Sequence, residues 1–142
     1  MAKYLTILLF LLGGCSSIEP NKISSEDSYS ELLANQWLVD TINERAVIEG
    51  SSITFSISSN GKVKGNGGAN NYFGSWQING FQIESSAMAS TKMYRAKPQG
   101  VMQQESEFLM GLAKVTHWQI HYQKLHLYHQ DKLFAVFVVT KS

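Results

Sequence analysis

Residues 61–76 read GKVKGNGGANNYFGSW, and this stretch decides the fold. It opens on Asn60-Gly61, the strongest short-range hairpin signal, because both residues tolerate the positive φ of a type I′ turn. Lys62 to Gly65 then runs as a strand. Gly65 to Asn71 (GNGGANN) is a loop whose glycines permit positive φ or close backbone approach. Tyr72 to Gln77 is the next strand, and Asn79-Gly80 marks a second hairpin with Phe81 to Glu84 as its return. Hydrophobic residues at a period of two between turn signals predict antiparallel sheet.

Working outward, Ile53, Phe55 and Ile57 alternate with Thr54 and Ser56 as a half-buried strand, and Gln36 to Ile42 (QWLVDTI) precedes it. One helix follows Pro98-Gln99-Gly100. Val101, Met102, Phe108, Leu109 and Leu112 form its apolar stripe, with Gln103, Gln104, Ser106 and Glu107 opposite. Further on, Trp118, Ile120, Leu125 and Leu127 alternate with Gln119, His121, His126 and Tyr128 across a hairpin. Leu133 to Val139 (LFAVFVV) is apolar on both faces and reads as a central strand. The fold class is therefore α+β: a small antiparallel barrel-like sheet of about seven or eight strands closed by one helix.

The chain has 142 residues, 44% apolar and 16% charged, which suits one domain with a packed core. Its formal net charge is +1, and its single cysteine rules out an intramolecular disulfide and any multi-cysteine metal site. A near-neutral chain has no general attraction to nucleic acid. At the front, Lys3 precedes the apolar run Tyr4 to Leu12, too short for a spanning helix but right for the core of a signal peptide. The run ends in Leu12-Gly13-Gly14-Cys15, which resembles the lipobox of bacterial lipoproteins. That resemblance implies cleavage before Cys15 and acyl chains, palmitate among them, on Cys15. Ser16 after the cysteine implies the periplasmic face of the outer membrane. Residues 1–14 are thus expected to be a signal peptide and 15–35 a lipidated, Ser-rich flexible tether with at most a helical turn at Glu31 to Leu33. Residues 36–142 are expected to be the folded domain.

The stretch 61–76 resembles the signature of META domains, found in heat-shock HslJ-type lipoproteins. Trp37-Leu38, the block Ser90, Thr91 and Met93, and the helix Met102, Glu105, Phe108, Leu109 and Leu112 agree with it in order and spacing. So do Trp118, Ile120, Leu125 and Leu127. The resemblance implies a cysteine pair at two positions that here are Ala69 and Arg95, so this chain lacks both ends of that cross-link. It also implies a structural polar network in which Asn70, Thr91 and Glu105 tie the glycine loop to the Ser-Thr-x-Met block. The family's association with envelope stress implies support of envelope integrity or stress tolerance and imports no enzymatic activity.

Candidate chemistry is sparse. Acidic residues form no evident pair in an apolar cleft, so the domain is expected to be non-catalytic. The glycine loop lacks the third glycine and following helix of a dinucleotide site, and no cofactor is expected. His121 and His126 fall on the face opposite Trp118 and Ile120, a weak pair for a divalent metal without a third ligand. Trp37, Trp76 and Trp118 read as core. Tyr72, Tyr94 and Tyr122 lie in or beside loops and are the candidate binding surface. The expected role is a membrane-anchored module that binds an envelope protein partner; the alternative is a barrel that carries or senses a small apolar ligand.

Overall fold

The computed structural model describes Gly14 and residues 24–140; the signal peptide, Cys15 and most of the expected tether's first half lie outside the described residues. Helix α1 (Ser25–Ala34) comes first, followed by β1 (Trp37–Ile42), β2 (Arg45–Ala46), β3 (Thr54–Ile57) and β4 (Lys62–Asn66). Then come β5 (Asn71–Asn79), β6 (Gln82–Ser85), β7 (Ala89–Ser90), α2 (Val101–Leu112), β8 (His117–His121), β9 (Lys124–His129) and β10 (Lys132–Val139). Eight strands close into an antiparallel barrel in the order β1-β3-β4-β5-β6-β8-β9-β10, with β10 returning to pair with β1. The short strands β2 and β7 are additions on β1 and β5.

Alternation sends one residue in two into the barrel. Trp37, Phe55, Val63, Tyr72, Trp118, Leu125, Leu127 and Phe137 are all buried there. Rings meet across the interior: Phe55 lies 4.9 Å from Trp76 and 5.6 Å from Phe137, centroid to centroid. Side chains therefore occupy the space where a small apolar ligand was the alternative expectation. A bulge in β10 between Leu133 and Ala135 shifts register, so that Phe134, Ala135, Val136 and Phe137 are all buried in succession. That shift, together with pairing on both edges, accounts for a strand that is apolar on both faces.

The hairpins differ in detail from expectation. At Asn60-Gly61 only Gly61 has positive φ (81°), and Ser58 N–H bonds the Lys62 carbonyl at 3.0 Å. This is a three-residue loop ending in a left-handed glycine, not a type I′ turn. A side chain at Gly61 would strike the Trp76 carbonyl, which the tighter turn would not have required. Two-residue turns with positive φ at both positions occur instead at Asn43-Glu44 and Tyr122-Gln123.

The largest correction concerns the tether. Residues 25–34 form α1, capped by Ser24, whose side chain accepts from Asp27 N–H at 3.1 Å and donates to the Asp27 carboxylate at 2.8 Å. Leu32 is fully buried, and Trp37 Nε1–H donates to its carbonyl at 3.2 Å. Serine-rich composition suggested a solvated linker, but Ser24-x-x-Asp27 is a capping signal and Tyr29, Leu32 and Leu33 share one helical face. Helix α1 thus covers the barrel end where β1 begins. Helix α2 covers the end where β1 finishes: Asn43 Nδ2–H donates to Glu107 Oε1 at 2.8 Å, and Phe108 packs 5.7 Å from Tyr72 and 6.2 Å from Phe134. The barrel is plugged at both ends.

Leu32→Ala is expected to destabilise the domain by about 2–5 kcal/mol in urea denaturation, the usual cost of emptying a packed leucine site; a residue in a free tether would change nothing. A second expectation concerns Glu107. The Asn43 side-chain amide and the Arg45 guanidinium (2.6 Å) hold its carboxyl below the ordinary carboxylate value, against some opposition from burial. A depressed folded value means stabilisation that is present above the unfolded carboxylate pKa and lost as pH falls through the folded one. Both groups are partly solvated, so Glu107→Gln should cost no more than about 1 kcal/mol at neutral pH. That gap should close in acid, and a gap of equal size near pH 3 refutes the assignment.

Candidate functional site

The glycine loop and α2 meet at one carboxyl. Glu105 is buried in the helix face turned to the loop, where its Oε2 accepts Ala69 N–H at 2.8 Å and Asn70 N–H at 2.7 Å. Its Oε1 accepts Asn70 Nδ2–H at 2.7 Å. The approach needs a bare backbone: a Cβ on Gly67 would sit 2.8 Å from Glu105 Cγ and Oε2, and Gly68 holds φ at 113°. Successive loop amides that could cradle a phosphate therefore already hold an acid from this chain. Burial of a carboxyl costs several kcal/mol unless such donors surround it.

Asn70, itself buried, relays the connection. Its Oδ1 accepts Thr91 Oγ1–H at 2.9 Å and Met93 N–H at 2.7 Å, while its Nδ2 also donates to the Met93 carbonyl at 3.0 Å. The side-chain amide behaves as one more peptide group in a ladder, seating residues 91–93 against the loop. The expected network of Asn70, Thr91 and Glu105 is assembled in this way. Arg95, at a position where the resemblance implies cysteine, donates from Nη1 to the Gly68 carbonyl at 3.0 Å. It joins the same two segments by a hydrogen bond.

Over this network lies an open groove of about 480 Å³ between α2 and residues 87–94. Of the chain's five methionines, all but Met1 line it: Met88, Met93, Met102 and Met110. Leu109 and Tyr94 complete its apolar surface, with Asn70 and Glu105 at the floor. Met93 (71% exposed), Tyr94 (83%) and Met110 (64%) leave much of that surface in solvent. The groove has no separate signal in the sequence analysis, although Ser106, Met110 and Ala113 extend Met102 and Leu109 of the stripe at helical spacing along one flank.

The tyrosine surface divides three ways. Tyr72 is buried, contrary to expectation: it shares the inward parity of Trp76 on β5, and its hydroxyl donates to the Thr54 carbonyl at 2.6 Å. Burial pushes that hydroxyl's pKa well above the ordinary tyrosine value. Tyr94 lines the groove. Tyr122 is exposed at the β8–β9 turn, whose strand end pairs beside the α1 end of the barrel. Tyr94 and Tyr122 therefore belong to different regions. His121 and His126 do share the outer face, with ring centroids 6.5 Å apart. Among the described residues they gain no third ligand from His, Cys, Asp or Glu. Gln104, expected on the outer face of α2, is buried, where Oε1 accepts Ile48 N–H at 2.8 Å and Nε2 donates to Ser51 Oγ at 2.9 Å.

The family model described as META domain matches residues 30–141. A protein of Burkholderia xenovorans solved by NMR superposes with a TM-score of 0.64 at 19% identity, covering 94% of this chain and all of that one (100%). A second NMR structure gives a TM-score of 0.61 at 14% identity, covering 78% of this chain and 92% of the other. At these identities the likeness concerns the fold. No curated protein sequence matches the chain.

Glu105→Gln should lower stability by about 2–4 kcal/mol in chemical denaturation. An amide cannot supply acceptors on both oxygens, and a donor then faces either the loop amides or Asn70 Nδ2–H. Backbone amide exchange at Ala69, Asn70 and Met93 should accelerate together in the variant. Acceleration confined to α2 would mean that the carboxyl does not hold the loop.

Proposed function

The chain belongs to the META domain family, and from that premise we propose that it is an envelope lipoprotein whose META domain is a non-catalytic binding module. In this reading, lipid on Cys15 holds the domain to the periplasmic face of the outer membrane. The groove between α2 and residues 87–94 grips a protein partner, and the complex supports envelope integrity or stress tolerance. The carrying observation is the groove itself: a partly exposed surface lined by four methionines. Thioether side chains are flexible and polarizable, so they adapt to irregular partner surfaces. The buried acid nearest the groove supports a binding role over catalysis, because Ala69, Asn70 N–H and the Asn70 side chain occupy its oxygens. The Leu12-Gly13-Gly14-Cys15 sequence supports the anchor.

The test combines address and grip. Cys15→Ala should move the protein out of the membrane fraction. Crosslinking of the lipidated protein in its native envelope, read by mass spectrometry, should join a reproducible partner to residues 87–94 or α2. Met110→Asp should abolish that crosslink while leaving the melting temperature within a few degrees. Crosslinks that map elsewhere and persist in Met110→Asp would remove the groove from the function.

A further inference from the structure

Resting on the groove reading above, we propose that the groove accepts an extended segment of a partner protein as an added β-strand. That strand would pair with the free edge of residues 88–92 and carry apolar residues together with acidic ones.

The groove is a gap in the sheet. Strands β6 and β7 lie in succession along the same side of β5, with Trp76 opposite Ser85 and Phe73 opposite Ala89. Beside β6 the sheet continues into β8, through Gln82 opposite His117 and the bond from Ile83 N–H to the Thr116 carbonyl at 2.8 Å. Beside β7 it stops. The chain that would continue β8 in that direction is instead the end of α2, where the Leu112 carbonyl accepts Ser85 Oγ–H at 3.1 Å. A helix cannot supply ladder partners, so among the described residues β7 has an edge without a neighbouring strand.

The hydrogen bonds fix which groups line that edge. Thr91 N–H points to β5, bonding the Asn71 carbonyl at 3.1 Å, and Met93 N–H points the same way to Asn70 Oδ1. Strand backbone alternates, so the amides and carbonyls of Ser90 and Lys92 face the other way. Ser90 and Lys92 both line the groove. Pairing of Ala89 with Phe73 and the bonds from Thr91 and Met93 hold this segment from the β5 side without using its outer groups. Such an edge is a template for strand addition, in which main-chain bonds supply affinity and pockets for alternate side chains supply specificity.

Chemistry selects the occupant. Alternate side chains of an added strand would lie over the methionines of α2, which favours apolar residues. Lys92 stands exposed at the groove's rim, while Glu105 beneath is already surrounded by donors. Acidic residues in the incoming strand complement that rim. A second copy of this chain fits worse, because the same edge, residues 88–92, carries Lys92 and no acidic residue.

The full-length lipidated protein in detergent micelles is screened against a displayed library of random ten-residue peptides. Recovered peptides should alternate apolar and polar residues, be enriched in Asp and Glu, and slow amide exchange at Ser90 and Lys92. Ser90→Pro removes an N–H that bonds nothing on β5 and should weaken binding at least tenfold, whereas Ser90→Ala should leave it intact. If Ser90→Pro disturbs the fold, N-methylation of alternate peptide residues tests the same bonds without altering the protein and should cause the same loss. Binding that survives N-methylation and Ser90→Pro but is lost in Met110→Asp overturns strand addition and leaves the groove reading standing. Binding indifferent to all of these overturns both, as does recovery of no peptide. A concentration-dependent dimer that protects Ser90 and Lys92 without peptide overturns the partner in favour of a second copy.

Discussion

One carboxyl sets the geometry on which the candidate site depends. Glu105 joins a helix to a loop that shares no strand with it, and three donors converge on two oxygens inside the protein. The contact is close to all-or-none. Withdrawing the carboxyl leaves the amides of Ala69 and Asn70 unpaired in a buried place, and withdrawing the loop leaves the carboxyl unpaired. Gly67 is part of the same bargain, since any side chain there would occupy the carboxyl's place. Through Asn70 the constraint reaches residues 91–93, so both walls of the groove are referred to one point.

The packed barrel leaves the surface as the place for a candidate site. Aromatic side chains from β3, β5, β10 and α2 meet within van der Waals reach inside it, and a helix covers each end. An interior at such density has little room for a guest. What remains is the discontinuity where α2 interrupts the sheet beside β7. A short β7 is enough to begin a wall and too short to complete one, and that shortfall is what leaves strand edge and thioethers facing each other.

Much of this was legible in the sequence, for identifiable reasons. Alternation around the Asn-Gly turns gave the barrel strands, and the spacing of Val101, Phe108 and Leu112 gave α2 and its buried stripe. The network of Asn70, Thr91 and Glu105 came from family resemblance, because its members are 35 residues apart at most in sequence yet share no periodic signal. Tyr72 was misplaced on the surface although its parity with Trp76 already turned it inward; proximity to a glycine loop outweighed alternation. Helix α1 was hidden by serine-rich composition, which is an average, whereas capping and one apolar face are positional. The groove was illegible because it arises between two elements and neither wall alone distinguishes it from ordinary surface.

Arg95 joins the glycine loop to the 91–97 segment by a hydrogen bond, which bears on where the stability of this site comes from. The cysteine pair implied by the family resemblance at positions 69 and 95 would join the loop to the 91–97 segment covalently, a connection typically worth about 2–4 kcal/mol. Here the Arg95 guanidinium bonds the Gly68 carbonyl, a contact worth roughly 1 kcal/mol or somewhat more for a charged donor. The difference falls on Asn70, whose amide alone gives residues 91–93 three hydrogen bonds. That wall of the groove is held by hydrogen bonds along one edge, with no covalent tie behind it. The segment is anchored from the loop side and left open toward α2.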